Sequence, residues 1–240
     1  MIIVSAFFKI PSKQPYDCYR EHLRRWFHAM STDVIFFTSQ DVWDDIQQFG
    51  IDLRWITPQI MTVCDWKAWD LGMDFWTRQM ERDPEKYHTC ELAAIWFEKR
   101  EFIKRAMDLI ASDVYIWCDA GCVRNDISEH AMQQFGKRGV NLNDDRMHIQ
   151  HISSLPIKPL YHYPDCKYAG AIQAGNRTAW LQYDQLYRRV IQEYDAAHVS
   201  CNSDQYVLAS CYDRNSDLFR EHIPSSQSRI DPWFFFLEKL

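Results

Sequence analysis

Short apolar runs alternate with amphipathic stretches along the whole chain. Runs rich in β-branched and aromatic residues predict strands at 2–8, 33–39, 52–57, 114–118, 147–152 and 168–174. Apolar residues at helical spacing predict helices at 17–30, 41–48, 91–110, 127–135, 178–195 and 203–212. Residues 65–90 are rich in tryptophan and charge without clean periodicity, and are also predicted to be helical. This alternation predicts an α/β fold with a mixed, mostly parallel sheet flanked by helices. We find no repeat and no linker, so residues 1–240 are predicted to form a single domain.

A lysine interrupts the apolar face of the helix predicted at 91–110. The predicted inward stripe consists of Leu92, Trp96, Lys99, Ile103, Ala106 and Ile110. Burying an ammonium costs several kcal/mol unless it is paired. Lys99 must therefore extend its charge to solvent, pair with a carboxylate, or face an anionic ligand.

The strand predicted at 114–118 ends in an acidic residue followed by two small ones, Asp119, Ala120 and Gly121. In open α/β sheets, ligands lie outside the carboxyl ends of the strands. The carboxylate of Asp119 is a hard oxygen ligand, suited to Mg²⁺ or Mn²⁺ bound to a diphosphate. The alternative is that Asp119 caps the next helix or accepts hydrogen bonds within a turn.

A second acidic residue lies in the segment "CNSDQYVLAS". Asp204 is predicted in the first turn of a helix and in line with its apolar positions, Val207, Leu208 and Cys211. A carboxylate there complements the helix dipole without any further function. Because Asp204 is predicted to face inward, it could also act as a general base towards a hydroxyl or hold a sugar hydroxyl.

Three weaker signals lie in the second half of the chain. The segment "YAGAIQAGN" places Gln173 between Gly170 and Gly175, which permits close approach to a substrate or forms a plain β-bulge. His222, near the end of the chain, is either a metal ligand or a surface histidine. The histidines between 148 and 162 fit no standard zinc pattern.

Composition narrows the classes of function. A net charge of -6 argues against sequence-independent duplex binding, so no nucleic-acid partner is expected. The eight cysteines include no Cys-x-x-Cys pair, which indicates free thiols in a reducing compartment. We find neither a signal peptide pattern nor an apolar run of about 20 residues, so the predicted location is cytoplasmic without a transmembrane segment. The motifs of dinucleotide enzymes, P-loop enzymes and α/β-hydrolases are absent.

Three segments together resemble the HtrL/YibB-type bacterial proteins: "VSAFFKI", "IWFEKREFIKRAMDLIASDVYIWCDAGCVRN" and "YAGAIQAGNRTAW … NSDQYVLASCY". These proteins look like small glycosyltransferases of the GT-A fold, which is Rossmann-like. By this resemblance, Asp119 stands where such enzymes have the first acidic residue of an Asp-x-Asp motif, and Gly121 stands at the second. The resemblance also places Asp204 and Gln205 near the acceptor and donor sugar, with Lys99 facing the donor phosphates.

The predicted function is transfer of a sugar from a nucleotide-diphosphate sugar, with a UDP-sugar favoured, to a hydroxyl of a glycan or other acceptor. Mn²⁺ or Mg²⁺ is expected, bound by Asp119 and His222, and Asp204 and Gln205 are the predicted catalytic residues. The residues predicted to bind the donor are Phe7, Lys99, Asp119, Ala120, Gly121 and Gln173. Two alternatives are a catalytically silent module that binds a nucleotide-sugar or glycan, and a sugar nucleotidyltransferase.

Overall fold

The computed structural model of the protein describes residues 1–138, 140–142 and 144–240. The strands are β1 (Ile2–Phe7), β2 (Val34–Thr38), β3 (Ile56–Ile60), β4 (Tyr115–Cys118), β5 (Met147–His151), β6 (Tyr168–Gly175) and β7 (Phe219–His222). The helices are α1 (Tyr16–Ala29), α2 (Gln40–Gln47), α3 (Met73–Glu81), α4 (Cys90–Leu109), α5 (Asp126–Gln133), α6 (Arg177–Ala196), α7 (Asp204–Arg214) and α8 (Phe236–Lys239). Short 3₁₀ turns supplement them at 63–65, 67–71, 216–218 and 232–234.

The strands form one sheet in the order β3-β2-β1-β4-β6-β5-β7. Four of the neighbouring pairs are parallel, whereas β6 runs antiparallel to both β4 and β5. Helices pack on both faces of the sheet. The predicted fold class, α/β with a mixed and mostly parallel sheet, is therefore confirmed. Since β1 and β4 are parallel neighbours, the loops that follow them leave the same edge of the sheet.

The third strand lies later in the chain than predicted. It was expected at 52–57, but β3 is Ile56–Ile60 because Asp52 begins a turn in which its Oδ1 accepts the backbone N–H of Arg54 at 3.0 Å. β3 is an edge strand, which tolerates Pro58 because proline lacks a backbone N–H. Of the predicted helix at 65–90, only α3 and Cys90, the first residue of α4, are α-helical.

Helix α4 is buried on more sides than a single stripe predicts. It contacts β1 and β4 of the sheet and also α3, α6 and α7. Eleven of its residues are buried, including the four consecutive charged residues 98–101, whereas Ile110 at its end is exposed. Lys99 is consequently in the interior, and its charge must be balanced there.

Each face of the sheet carries its own apolar core. The predicted apolar side of α6 is confirmed, because Trp180, Tyr183, Tyr187, Val190 and Tyr194 are all buried. The eight cysteines are free thiols, as predicted. Within the described ranges, no helix combines the length and the apolarity that crossing a bilayer requires.

Candidate active site

A cavity of about 520 Å³ opens at the edge of the sheet where β1 and β4 end. The loop after β1, the loop after β4, the middle of α4 and the first turn of α7 all contribute to its wall. Seven of the nine residues predicted for the site line this cavity: Phe7, Lys99, Asp119, Ala120, Gly121, Asp204 and Gln205. The position agrees with the rule that ligands bind at the carboxyl ends of parallel strands.

Lys99, Asp119 and Asp204 form the base of the cavity and are called the floor cluster here. Lys99 Nζ lies 2.7 Å from Asp204 Oδ2, 3.1 Å from Asp119 Oδ1 and 3.0 Å from the carbonyl oxygen of Gly170. An ammonium has three N–H groups, and each of them has an acceptor here. Of the three alternatives for Lys99, the structure shows pairing with carboxylates. Binding of a phosphate by Lys99 would require one of these contacts to break.

The members of the floor cluster differ in exposure. The side chain of Asp119 is 34% exposed, against 5% for Lys99 and 4% for Asp204. Asp119 Oδ1 also accepts the indole N–H of Trp117 at 2.6 Å, whereas its Oδ2 accepts no hydrogen bond from the described part of the chain. Asp119 therefore presents one carboxylate oxygen to the cavity, and Asp204 lies behind it.

The charges of the floor cluster depend on one another. Burial alone would lower the pKa of Lys99, but the carboxylates of Asp119 and Asp204 raise it above its ordinary value, so the ammonium stays charged at neutral pH. Burial raises the pKa of Asp119, and the nearby Asp204 acts in the same direction, whereas Lys99 opposes both. With both carboxylates ionised, the two carboxylates and one ammonium give the cluster a net charge of one negative.

Local structure explains why the two carboxylates meet. The turn after β4 is closed by the N–H of Cys122, which donates to the carbonyl of Asp119 at 3.1 Å, and the N–H of Asp119 donates to Ala171 of β6 at 2.8 Å. Asp204 is the first residue of α7, where a negative charge is favoured by the helix dipole. Both interpretations of Asp204, dipole complementation and an inward carboxylate, therefore apply.

Gly170 makes room for Asp204. A Cβ at this position would lie 2.3 Å from Asp204 Oδ2 and 2.6 Å from its Cγ, which no side chain tolerates without displacement of the carboxylate. The sequence left two interpretations of this segment open, close approach of a substrate and a plain β-bulge. The structure shows that the space beside Gly170 is occupied by a side chain of the protein.

Two predicted site residues lie elsewhere. Gln173 is buried in β6, and its Nε2 donates to the carbonyl of Gly170 at 3.4 Å, so it lies beneath the cavity and does not line it. The prediction that His222 is a metal ligand together with Asp119 is wrong, because β7 is the third strand away from β4, about 14 Å at normal strand spacing. His222 instead contacts His148 at 2.9 Å in the interior.

The cavity offers few protein ligands for the expected Mn²⁺ or Mg²⁺. Among the described residues, no group of three His, Cys, Asp or Glu side chains could hold a metal ion. Asp119 offers one oxygen beside the Lys99 ammonium, Gly121 has no side chain, and Asp204 is paired. These residues do not fit a metal site built by the protein, so no chemical step is assigned to a metal below.

The sequence did not single out several residues that line the cavity. Lys9 and Lys13 follow β1, Arg124 follows β4, and Trp233 comes from the segment before α8. The only available signal was topological, since the loops after adjacent parallel strands share an edge of the sheet. The strand order, from which that adjacency follows, could not be taken from the sequence.

No protein-family model matches the chain, and no curated protein matches it. Two solved structures are similar over most of its length. The glycosyltransferase GlyE of Streptococcus pneumoniae has 11% identity and a TM-score of 0.45, with 92% of this chain and 45% of that chain covered. This chain thus spans less than half of that protein. CMP:2-keto-3-deoxy-manno-octonic acid synthetase complexed with CTP has 14% identity and a TM-score of 0.41, with 99% and 95% covered. Both TM-scores are low, and the function proposed below rests on the cavity itself.

Proposed function

We propose that the protein is a glycosyltransferase that moves a sugar from a nucleotide-diphosphate sugar, with a UDP-sugar favoured, to a hydroxyl of a glycan or other acceptor. The observation that carries this proposal is the floor cluster, a set of two carboxylates on one lysine beneath an open cavity. The cavity volume is within the range of small-molecule sites. The resemblance of the segments around Lys99, Asp119 and Asp204 to the HtrL/YibB-type proteins supports the same function.

The charge of the floor cluster suits the chemistry of sugar transfer. When the bond between the anomeric carbon and the diphosphate breaks, positive charge develops on the sugar ring. A preorganised group of net negative charge, held in a largely dry floor, stabilises that charge. In this proposal Asp119 faces the sugar through Oδ2. Asp204 adds its charge from behind, and Lys99 positions both carboxylates.

Aromatic side chains in the cavity wall could pack against the flat and apolar parts of a donor. The aromatic side chains that line it include Tyr16, Tyr19, Tyr87, Trp96 and Trp233. Aromatic faces pack well against nucleobases and against the C–H faces of sugars. The apolar wall and the charged floor together fit a ligand that has a base at one end and a sugar at the other.

The test is a thermal-shift screen against nucleoside diphosphates and their sugar derivatives, with Mn²⁺ and with EDTA in parallel. A donor that binds the native state raises the apparent stability by mass action. We expect one sugar nucleotide to stabilise the protein and to release its nucleoside diphosphate when an acceptor is supplied. Stabilisation without turnover of any donor would identify a silent binding module. Release of pyrophosphate from a nucleoside triphosphate and a sugar phosphate would identify a nucleotidyltransferase.

A further inference from the structure

Three exposed cations surround the mouth of the cavity and are called the rim cations here: Lys9, Lys13 and Arg124. They differ from Lys99, which is buried and has an acceptor for every N–H. Asp231 also lines the mouth, so the net charge there is two positive. The cavity is thus polarised, with a positive mouth above a negative floor.

Arg124 is held at the mouth by its own loop. Its Nε donates to the carbonyl of Gly121 at 3.3 Å, and its guanidinium lies 4.6 Å from the centre of the Phe234 ring. Its two terminal nitrogens make no hydrogen bond with the described part of the chain, and no carboxylate there pairs with it. A planar guanidinium with two free nitrogens is the side chain best suited to bind a phosphate in a bidentate manner.

Lys13 and Lys9 approach from the loop after β1. Lys13 Nζ lies 5.4 Å from the centre of the Tyr87 ring and has no carboxylate partner among the described residues. Lys9 Nζ lies 4.1 Å from the centre of the Tyr16 ring, and it makes an exposed contact with a carboxylate, 3.7 Å from Asp41 Oδ2. Because β1 and β4 are adjacent and parallel, their loops bring these lysines and Arg124 to one opening.

We propose that the rim cations form a diphosphate subsite, and that Arg124 and Lys13 neutralise the diphosphate of the donor without a bound metal. The inference rests on the proposed function, which it deepens by naming the residues that bind the phosphates. It follows from two observations: Asp119 is the one partly exposed carboxylate that the floor cluster offers to a metal, and neither Arg124 nor Lys13 has a carboxylate partner among the described residues. A diphosphate at the mouth places the attached sugar towards the floor cluster.

The test measures binding of two probes, inorganic pyrophosphate and UDP, by calorimetry in the presence of EDTA. We compare wild type with Arg124→Gln and Lys13→Gln, and with uridine as a probe that lacks phosphate. The matched control is Arg189→Gln, an exposed arginine of α6 outside the cavity. Loss of a charged hydrogen bond to phosphate is expected to weaken both phosphate probes by about tenfold for each variant. Uridine affinity and the Arg189→Gln protein should match wild type.

Each outcome bears on one claim. Unchanged pyrophosphate affinity in Arg124→Gln and Lys13→Gln overturns the subsite. So does binding by wild type that appears only when Mn²⁺ replaces EDTA, because a metal then binds the phosphates. If pyrophosphate binds and the two variants weaken it, but no nucleoside diphosphate binds better than pyrophosphate, the subsite stands and the proposed function fails. Equal thermal stability of all variants in the absence of probe shows that the exposed substitutions leave the fold intact.

Discussion

Two clusters of charged and polar side chains, each partly buried, are associated with the central sheet, and they differ in whether they open into the cavity. The floor cluster opens into the cavity through Asp119. The second, called the histidine cluster here, consists of Asp144, His148 and His222. His148 Nε2 lies 2.8 Å from Asp144 Oδ1, and His148 Nδ1 lies 2.9 Å from His222 Nε2. None of its three members lines the cavity.

The comparison shows that residue type alone does not distinguish a site from a structural network. Asp144 Oδ2 is contacted by Arg146 at 2.9 Å and by Arg220 at 2.8 Å, so its two oxygens are occupied by protein partners. Asp119 Oδ2 has no such partner among the described residues. This open acceptor is the reason why we propose the floor cluster, and not the histidine cluster, as the ligand site.

The largest expected difference between the clusters is in catalysis. Asp119→Asn should lower turnover by ~10²–10³-fold, because it removes the charge that faces the sugar. Its UDP affinity in EDTA should stay within a few-fold of wild type, since the rim cations bind the phosphates. Asp144→Asn should keep normal turnover per folded molecule. Steady-state kinetics beside calorimetry checks both. Near-normal turnover in Asp119→Asn would remove the catalytic assignment.

Lys99→Met tests the balance of charge in the floor. The substitution leaves Asp119 and Asp204 without their shared counter-ion, and removing one partner of a buried ion pair typically lowers the free energy of unfolding by about 3–5 kcal/mol. The double variant Lys99→Met with Asp204→Asn should recover part of this loss, because one uncompensated charge is gone. Denaturant unfolding of wild type and both variants measures the effect. A loss below about 1 kcal/mol would show that Lys99 extends to solvent instead.

The contribution of the histidine cluster to the free energy of unfolding should depend on pH. Burial, together with His148 and Lys239, lowers the pKa of His222 to about 4, while Asp144 opposes the shift. As the pH falls, His222 is therefore protonated in the unfolded state before it is protonated in the folded state. Its contribution to stability is present above about pH 6.5 and is lost as the pH falls towards about 4. A shift of this size corresponds to about 3 kcal/mol.

Other groups titrate over part of the same range, so the His222 effect must be measured as a difference between proteins. One is His148, in contact with His222, whose pKa is lowered by burial. Burial raises the pKa of Glu98 to about 7, which makes stability fall as the pH rises and opposes the histidine. We expect the free energy of unfolding of wild type minus that of His222→Phe to increase from about pH 4 to pH 6.5. The exposed His28→Gln variant is the control. A difference that does not change with pH would show that His222 is not buried in its neutral form.

The smallest expected effect separates two glycines of the cavity. Gly170→Ala places a Cβ against the Asp204 carboxylate and should lower the free energy of unfolding by about 1–3 kcal/mol, as overpacking does. Gly121→Ala meets no atom within 4 Å and should leave stability unchanged. Denaturant unfolding of the two variants provides the comparison. Equal stability would mean that Asp204 is free to move away from Lys99.

The fold class was predictable because its signals are local. Apolar runs predicted five of the seven strands to within about one residue at each end, and a sixth, β3, at a shifted position. The apolar side of α6 followed directly from helical spacing. The interior of α4 could not be predicted in the same way. Its run of charges from Glu98 to Glu101 has the composition of a solvated face, and only the surrounding elements bury it.

The site was predictable in part for the same reason. Asp119 and Asp204 were found because a strand end and a helix start are visible in the sequence, and Lys99 because it interrupts an apolar stripe. The sequence could not show that the Lys99 ammonium joins the two carboxylates, because its contact with Asp204 is between residues 105 positions apart. The wrong placement of His222 has the same origin, since its distance from Asp119 depends on strand order.

The most direct test of the central claim is the behaviour of Asp204→Asn with the donor identified in the thermal-shift screen. The substitution keeps the shape of the side chain and removes a charge from the floor cluster, whereas the rim cations that we propose bind the diphosphate are unchanged. Calorimetry and turnover are measured on the same preparation. We predict donor affinity within a few-fold of wild type and turnover lowered by ~10²–10³-fold, as for the loss of a preorganised charge. Unchanged turnover, or loss of donor binding together with turnover in a folded protein, would contradict the account.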